Sequence, residues 1–222
     1  MTVRGTNQGD SLFAVPGGTN GGVVGGNANV YFGSSASAPF QDTLFMLPGS
    51  VVGGSLSVNG SGSNSLTFDG TIGRDALFTL GSGDNSITFE GTSAVGGAVT
   101  TTGGNGTNTI LITDTAVIGG SVSTTVGNGT NSFTLTGSAQ ISGPTVSYRG
   151  GTSSDTVTIT NGMSNGFALN VTFFAGTRKV ELGAGITLAS MTLDFGTGFG
   201  TKTLQLDGGL IITWPTTLLN YP

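Results

Sequence analysis

The 222-residue chain has no cysteine and no histidine. Without cysteine there is no disulfide framework, no thiolate nucleophile and no thiolate metal site. Without histidine the commonest general base and the commonest metal ligand are both gone. Charge is scarce too, with 6 Lys and Arg against 11 Asp and Glu and a net charge of −5. Nucleic acid is therefore not an expected partner, because phosphate binding needs clustered Lys and Arg. The sequence has no apolar run of the length a membrane-spanning helix needs, so no membrane insertion is expected. The opening MTVRGTNQGD has no apolar stretch of the kind that begins a secretory leader. On that reading the chain begins after a leader or is cut from a longer one. No stretch keeps a helical period for a useful length.

What is abundant is glycine, 42 residues of 222, while the hydrophobic fraction is 36%. The apolar residues fall in short alternating runs, which a disordered low-complexity tract would not keep. Those runs repeat. GSNSLTFDG, GDNSITFEG, GTNTILITD, GTNSFTLTG and SSDTVTITN align on Asn64, Asn85, Asn108, Asn131 and Asp155, spaced 21, 23, 23 and 24 residues apart. Asp42 lies 22 residues before Asn64, and Asp10 lies 32 before Asp42. Arg178 and Lys202 extend the series by 23 and 24. Each repeat carries a second alternating run before its anchor (SLSV, ALFTL, AVTTT, SVSTTV) and a short apolar stretch before that (SVVGG, SAVGG, AVIGG).

Three short strands per 21–24 residues predict an all-β, right-handed parallel β-helix, or β-solenoid, of about nine coils. Right-handedness is expected from the general rule for parallel crossovers. Stacking at the usual strand spacing makes the rod roughly 40 Å long. One inward column reads Leu12, Leu44, Leu66, Ile87, Ile110, Phe133, Val157, Val180, Leu204. The next reads Ala14, Met46, Phe68, Phe89, Ile112, Leu135, Ile159, Leu182, Leu206. A slip of one residue would turn both outward, so the register is well specified. The whole chain, 1–222, is expected to be one domain. Residues 1–49 form N-terminal coils with an insertion or cap at 18–41, residues 50–208 the regular coils, and residues 209–222 a C-terminal cap or assembly segment.

The stretch GGNGTNTILIT, residues 103–113, resembles the GGxGxDxUx nonapeptide of calcium-binding RTX proteins, with Asn108 in place of the acidic residue. That resemblance implies a calcium site. The residues favour a structural corner instead, since the period is not nine and a hard cation prefers carboxylates to amides. The corner column Asp10, Asp42, Asn64, Asn85, Asn108, Asn131 and Asp155 is expected to hydrogen-bond from coil to coil as a ladder. The longer pattern VIGGSVSTTVGNGTNSFTLTGSAQISG, residues 117–143, resembles bacterial autotransporter passengers and filamentous adhesins, over roughly residues 42–208. That resemblance implies a secreted or cell-surface module that displays, adheres or assembles. No catalytic constellation comparable to the added loops of enzymatic passengers is found, so an enzyme is not expected.

Other surfaces compete for a function. Thr67, Thr88, Thr134 and Thr158 share an outward column, flanked by Thr109 and Thr156 on one side and Thr113, Thr136 and Thr160 on the other. A flat hydroxyl face of this kind resembles the ice-binding face of hyperactive antifreeze proteins, although threonine is common at exposed strand positions anyway. Leu111, Asp69 and Glu90 interrupt it. Asp69 and Glu90 fall in one column, and paired carboxylates can share a proton or cleave glycosides. Arg74 and Asp75 lie nearby. Arg149 with Tyr148, and Arg178 with Lys179, are candidates to grip an acidic sugar, against the ordinary reading of solvated surface.

The ends are apolar where the body is not. Phe13, Val15, Phe45 and Leu47 occupy outward columns and need a cover, either from Tyr31, Phe32 and Phe40 of the insertion or from a partner chain. Trp214, Leu218, Leu219 and Tyr221 at the other end are a cap or an end-to-end contact between copies. The expected role is a non-catalytic extracellular structural or adhesive module, self-associating or binding a cell-surface or polysaccharide ligand, with ice binding and polysaccharide cleavage as alternatives. No cofactor is expected apart from the calcium alternative.

Overall fold

The computed structural model describes residues 1–5, 22–33, 41–160, 166–212 and 216–221, and the backbone alone of Ser11–Ala14. Every regular element among them is a strand, and every strand pairing is parallel. The chain winds as a β-solenoid with three walls. A broad sheet of eleven strands begins with Thr2–Arg4 and Ala28–Tyr31 and ends on Thr187–Asp194, which pairs with both Ile211–Ile212 and Thr216–Leu219. A ladder sheet of nine strands runs from Ser11–Ala14 to Lys202–Leu206. A narrow sheet of six two-residue strands runs from Val23–Val24 to Gln140–Ile141. Nine rungs in the ladder sheet enclose about eight turns.

One coil illustrates why the sequence folds this way. Ala94–Val95 lies in the narrow wall, Val99–Thr102 in the broad wall and Asn108–Ile112 in the ladder wall. The alternation of apolar and polar side chains in Asn108–Ile112 puts Ile110 and Ile112 inside and Thr109 and Leu111 outside. The corner between narrow and broad walls is glycine because the coils approach so closely there. A Cβ on Gly53, Gly96 or Gly119 would strike the carbonyl of the glycine one coil earlier. Coil stacking therefore favours glycine at these positions, and Ser142 takes the place only in the last coil of the narrow sheet.

The two inward columns of the ladder sheet are buried from Leu44 to Val180 and from Met46 to Leu182. Each such side chain contributes roughly 1.5–3 kcal/mol by leaving water. Leu204 is only partly buried and Leu206 is 49% exposed, so the ninth coil, expected to be inward, is uncovered. Two aromatic runs fill the interior. Phe68, Phe78 and Phe89 pack with centroids 5.0–6.1 Å apart. Phe133, Tyr148, Phe173, Phe195 and Tyr221 follow one another at 5.1–6.3 Å towards the C-terminal end.

Within the segment 18–41, the described residues 22–33 are built into the walls. Val23–Val24 pairs with Val51–Val52, and Ala28–Tyr31 pairs with both Thr2–Arg4 and Leu56–Gly60. It supplies two walls of a coil, and Val30 and Phe32 enter the core. Tyr31 therefore belongs to a wall and Phe32 to the core, and neither is part of a flap. Phe40 lies outside the described residues.

The C-terminal coils depart from the pattern. Among the described residues the narrow sheet ends at Gln140–Ile141. Thr187–Asp194 runs eight residues without a corner glycine, and its pairing with Phe167–Thr172 carries an irregularity at Phe167/Ala168.

Candidate functional site

The anchor column forms a continuous line of side-chain hydrogen bonds from coil to coil. Asn64, Asn85, Asn108 and Asn131 are buried and pair in register. The side-chain NH2 of Asn64 donates to Asn85 Oδ1 at 2.8 Å, Asn85 to Asn108 at 2.9 Å, Asn108 to Asn131 at 2.8 Å, and Asn131 to Asp155 Oδ1 at 2.9 Å. The same NH2 groups also donate to carbonyls of their own corners: Gly62 for Asn64, Gly81 and Gly83 for Asn85, Gly104 and Gly106 for Asn108, Gly127 and Gly129 for Asn131. Those carbonyls fix which end of each amide is nitrogen, so the ladder has one direction. Room for it comes from glycine. A Cβ at Gly60, Gly103 or Gly150 would overlap the anchor of its own coil, namely Asn64, Asn108 or Asp155.

The ladder expected from the sequence is thus present from Asn64 to Asp155. Asp42 is buried and pairs in register with Asn64, while Asp10 lies outside the described residues. The amide of Asn108, the position that resembled a calcium ligand, is committed to Gly104, Gly106 and Asn131. Among the described residues no cluster of three acidic, His or Cys side chains is placed to hold a metal ion.

Asp155 ends the ladder, since a carboxylate has no N–H to pass on. It accepts from Tyr148 Oη at 2.8 Å as well as from Asn131. Burial pushes its carboxyl above the usual carboxylate range, opposed by the bonds from Asn131, Tyr148 and the Gly151 amide and by the charge of Arg178. The Tyr148 hydroxyl is pushed far upward by burial and, secondarily, by the Asp155 charge and hydrogen bond. The next position in the column is Arg178, 0% exposed. Its guanidinium donates to the carbonyls of Phe195, Gly198 and Phe199. Arg178 and Tyr148 are therefore interior residues and not surface groups for an acidic sugar. Arg149 does face outward, but its guanidinium lies 4.9 Å over the Phe174 ring. Lys179 pairs with Glu181 at 2.7 Å.

A second set of coil-to-coil bonds escaped the sequence reading. Asx side chains at the turns, exposed except for the half-buried Asp69, accept backbone amides of the following coil: Asn27 from Ser55, Asp69 from Thr92, Asp75 from Ala98, Asp84 from Thr107, Asn105 from Asn128, and Asn128 from Thr152, all at 2.8–3.1 Å. Asp69 is thus a turn acceptor, its Oδ1 taking both the amide and the hydroxyl of Thr92. They fall at different offsets from the anchors, Asp84 one residue before Asn85 but Asn105 and Asn128 three before Asn108 and Asn131, so no single column of the sequence announces them.

The hydroxyl face lies where the register placed it. Thr67, Thr88, Leu111, Thr134, Thr158 and Glu181 pair in one column, half-buried. Its flanks are partly self-satisfied, with Ser132 donating to Thr109 at 3.4 Å and Thr136 bonded to Thr160 at 2.9 Å. Thr113 and Thr156 are half-buried on the same flanks. The broad sheet carries a more exposed hydroxyl column that the sequence reading passed over. Thr79, Thr102 and Thr125 are consecutive in register and exposed, beside Leu77, Thr100 and Ser123.

At the N-terminal end Phe45 and Leu47 are half-buried outward residues, while the Phe13 side chain and Val15 lie outside the described residues. An apolar cavity of about 290 Å³ opens among Val3, Val24, Val30, Met46, Val52 and Leu56. At the C-terminal end Leu206, Ile211, Leu218, Leu219 and Tyr221 are exposed, and Phe199 is 98% exposed. Tyr221 keeps one face on Phe195 at 5.1 Å. Trp214 lies outside the described residues.

Comparisons with protein-family models, with curated proteins and with solved structures find no match. The architecture stands on its own geometry: a parallel β-solenoid, consistent with β-helix repeat proteins.

Proposed function

We propose that the chain is a non-catalytic structural or adhesive rod of the extracellular or cell-surface kind, joined to further copies end to end through its C-terminal coil. The observation that carries this reading is the cluster Leu206, Ile211, Leu218, Leu219 and Tyr221, exposed together at the end of an otherwise continuous core. Lys202–Leu206 pairs on one side only among the described residues. An exposed strand edge with an apolar face templates further pairing. In a solenoid that edge already has the shape every coil presents to the next, and a contact between unlike ends grows as a filament unless its rotation closes.

Electron microscopy of the purified chain across a concentration series, with and without calcium, tests it. Filaments whose repeat is roughly the 40 Å rod length are expected, given the stacking of coils at strand spacing. Leu206→Lys with Leu218→Lys is expected to leave single rods, because both side chains are already exposed and the fold does not need them. Isolated rods of the unsubstituted chain at every concentration would sink the assembly reading. Filaments only in calcium would bring back the cation alternative.

A second reading is favoured by the exposed column Thr79, Thr102 and Thr125. It is an uncharged, regularly spaced hydroxyl surface suited to a hydrated neutral solid, either ice or an insoluble polysaccharide. Shaping of ice crystals or sedimentation with an insoluble glucan, lost in Thr102→Lys, would favour it over assembly.

A further inference from the structure

Asn–Gly occurs six times, at Asn20, Asn59, Asn105, Asn128, Asn161 and Asn165. The first and the last two of these asparagines lie outside the described residues. The other three sit in different surroundings, and the difference is chemical. An asparagine amide is lost when the nitrogen of the following residue attacks the side-chain Cγ. That nitrogen must be unhindered and free of a hydrogen bond of its own, and the Cγ must be electrophilic.

At Asn59 the nitrogen belongs to Gly60, which is buried at the end of the strand Leu56–Gly60 against the Asn64 amide. At Asn105 the Gly106 N–H donates to the Asn128 carbonyl at 2.8 Å. At Asn128 the side chain is exposed, and the Gly129 N–H has no acceptor among the described residues. Asn128 Oδ1 accepts two hydrogen bonds, from the Thr152 amide at 3.1 Å and the Thr152 hydroxyl at 2.7 Å. Two donors on a carbonyl oxygen draw electrons from its carbon and stabilise the oxyanion that forms on attack.

We propose that Asn128 is a self-modifying site that loses its amide without an enzyme, faster than Asn105 or Asn59. The Gly129 nitrogen gives its proton to hydroxide and bonds to Cγ of Asn128. The oxyanion is held by the amide and hydroxyl of Thr152. The side-chain nitrogen takes a proton from water and leaves as ammonia, closing a five-membered imide. Water then adds to one of the two imide carbonyls and breaks its bond to the ring nitrogen. The product is an aspartate or an isoaspartate at position 128, and no oxidant or reductant is involved.

The two products differ in what they do to the rod. An aspartate there still accepts from Thr152, as Asp84 does from Thr107. An isoaspartate adds a methylene to the main chain just before the strand Thr130–Leu135, which carries Asn131 in register with Asp155. It displaces the ladder bond from Asn131 to Asp155.

The test is incubation of the folded chain at mildly alkaline pH in water enriched in heavy oxygen, followed by peptide mass mapping. Position 128 is expected to take up label about fivefold faster than position 105, the factor that one backbone hydrogen bond on the competing nitrogen is worth. In urea the two rates should converge, since the same Gly-Asn-Gly-Thr surrounds both. Thr152→Val, at an exposed position, should slow position 128 and leave position 105 unchanged. Molecules carrying isoaspartate should melt earlier than those carrying aspartate. Equal labelling of 105 and 128 in the folded chain, or no label at 128, would overturn the proposal.

Discussion

The coils from Asn64 to Asp155 and those from Arg178 onward solve one problem in two ways. In the first region the inward corner is filled by small neutral amides, each bonded to the next coil and to glycine carbonyls of its own corner. In the second it is filled by one long cation that reaches three carbonyls of the following turn. Among the described residues the narrow wall with its glycine corners ends within the first region, and in the second Phe195 and Tyr221 continue the aromatic filling that passes through Phe173. Repetition builds the first region, because every coil offers its neighbour the same donors and acceptors. The second needs specific partners, and its outermost coil is left exposed.

Removing the cation should break the comparison most sharply. Arg178→Ala strands Asp155 without its neighbouring positive charge and orphans three carbonyls, so a loss of about 3–5 kcal/mol is expected in urea unfolding. Asn108→Ala should cost about 3 kcal/mol by the same measurement, from the orphaned glycine carbonyls and the broken links to Asn85 and Asn131. If the two losses came out in the opposite order, the amide ladder would be the more specific of the two devices.

The junction itself should respond to pH. Because burial raises the Asp155 carboxyl, the folded chain holds that proton more tightly than the unfolded one. Stability should therefore fall as pH rises through the window that starts at the ordinary carboxylate value and ends at the raised one. Asp155→Asn should flatten that slope, which thermal melts across mildly acidic pH would reveal.

A smaller effect lies inside the regular region. Thr101 and Thr124 are buried between Phe78 and Tyr148 in the same inward column, and their hydroxyls have no partner among the described residues. Thr101→Val should raise stability by about 1 kcal/mol, since an unmatched buried hydroxyl is removed and the shape is kept. Smallest of all, Leu206→Ser in unassembled chains should change stability by no more than roughly 0.5 kcal/mol, as expected of an exposed site. A larger loss would mean that the last coil is held by packing after all.

The register was legible in the sequence because two apolar columns repeat through nine coils, and a period of two leaves no ambiguity about which side they face. The ladder was legible as a column of Asn and Asp. Arg178 stood in that column too, but arginine is so rarely buried that its type outweighed its position. Tyr148 was misplaced although Val146 and Tyr148 alternate inward in TVSYR. The walls within 18–41 were hidden by the irregular 32-residue spacing, yet VVGG at residues 23–26 repeats VVGG at 51–54. The turn acceptors were missed for a different reason: a side chain that bonds a backbone amide one coil away leaves no pattern in the identity of its partner.

The ladder also gives the rod an inner polarity. Four amide dipoles line up head to tail along the axis, and hydrogen bonds in such a chain strengthen one another. Their donor end meets the carboxylate of Asp155, the group best suited to receive it. Their acceptor end is the Asn64 oxygen, buried and without a donor among the described residues. A rod built this way is not the same read forwards and backwards, even where its outer walls repeat.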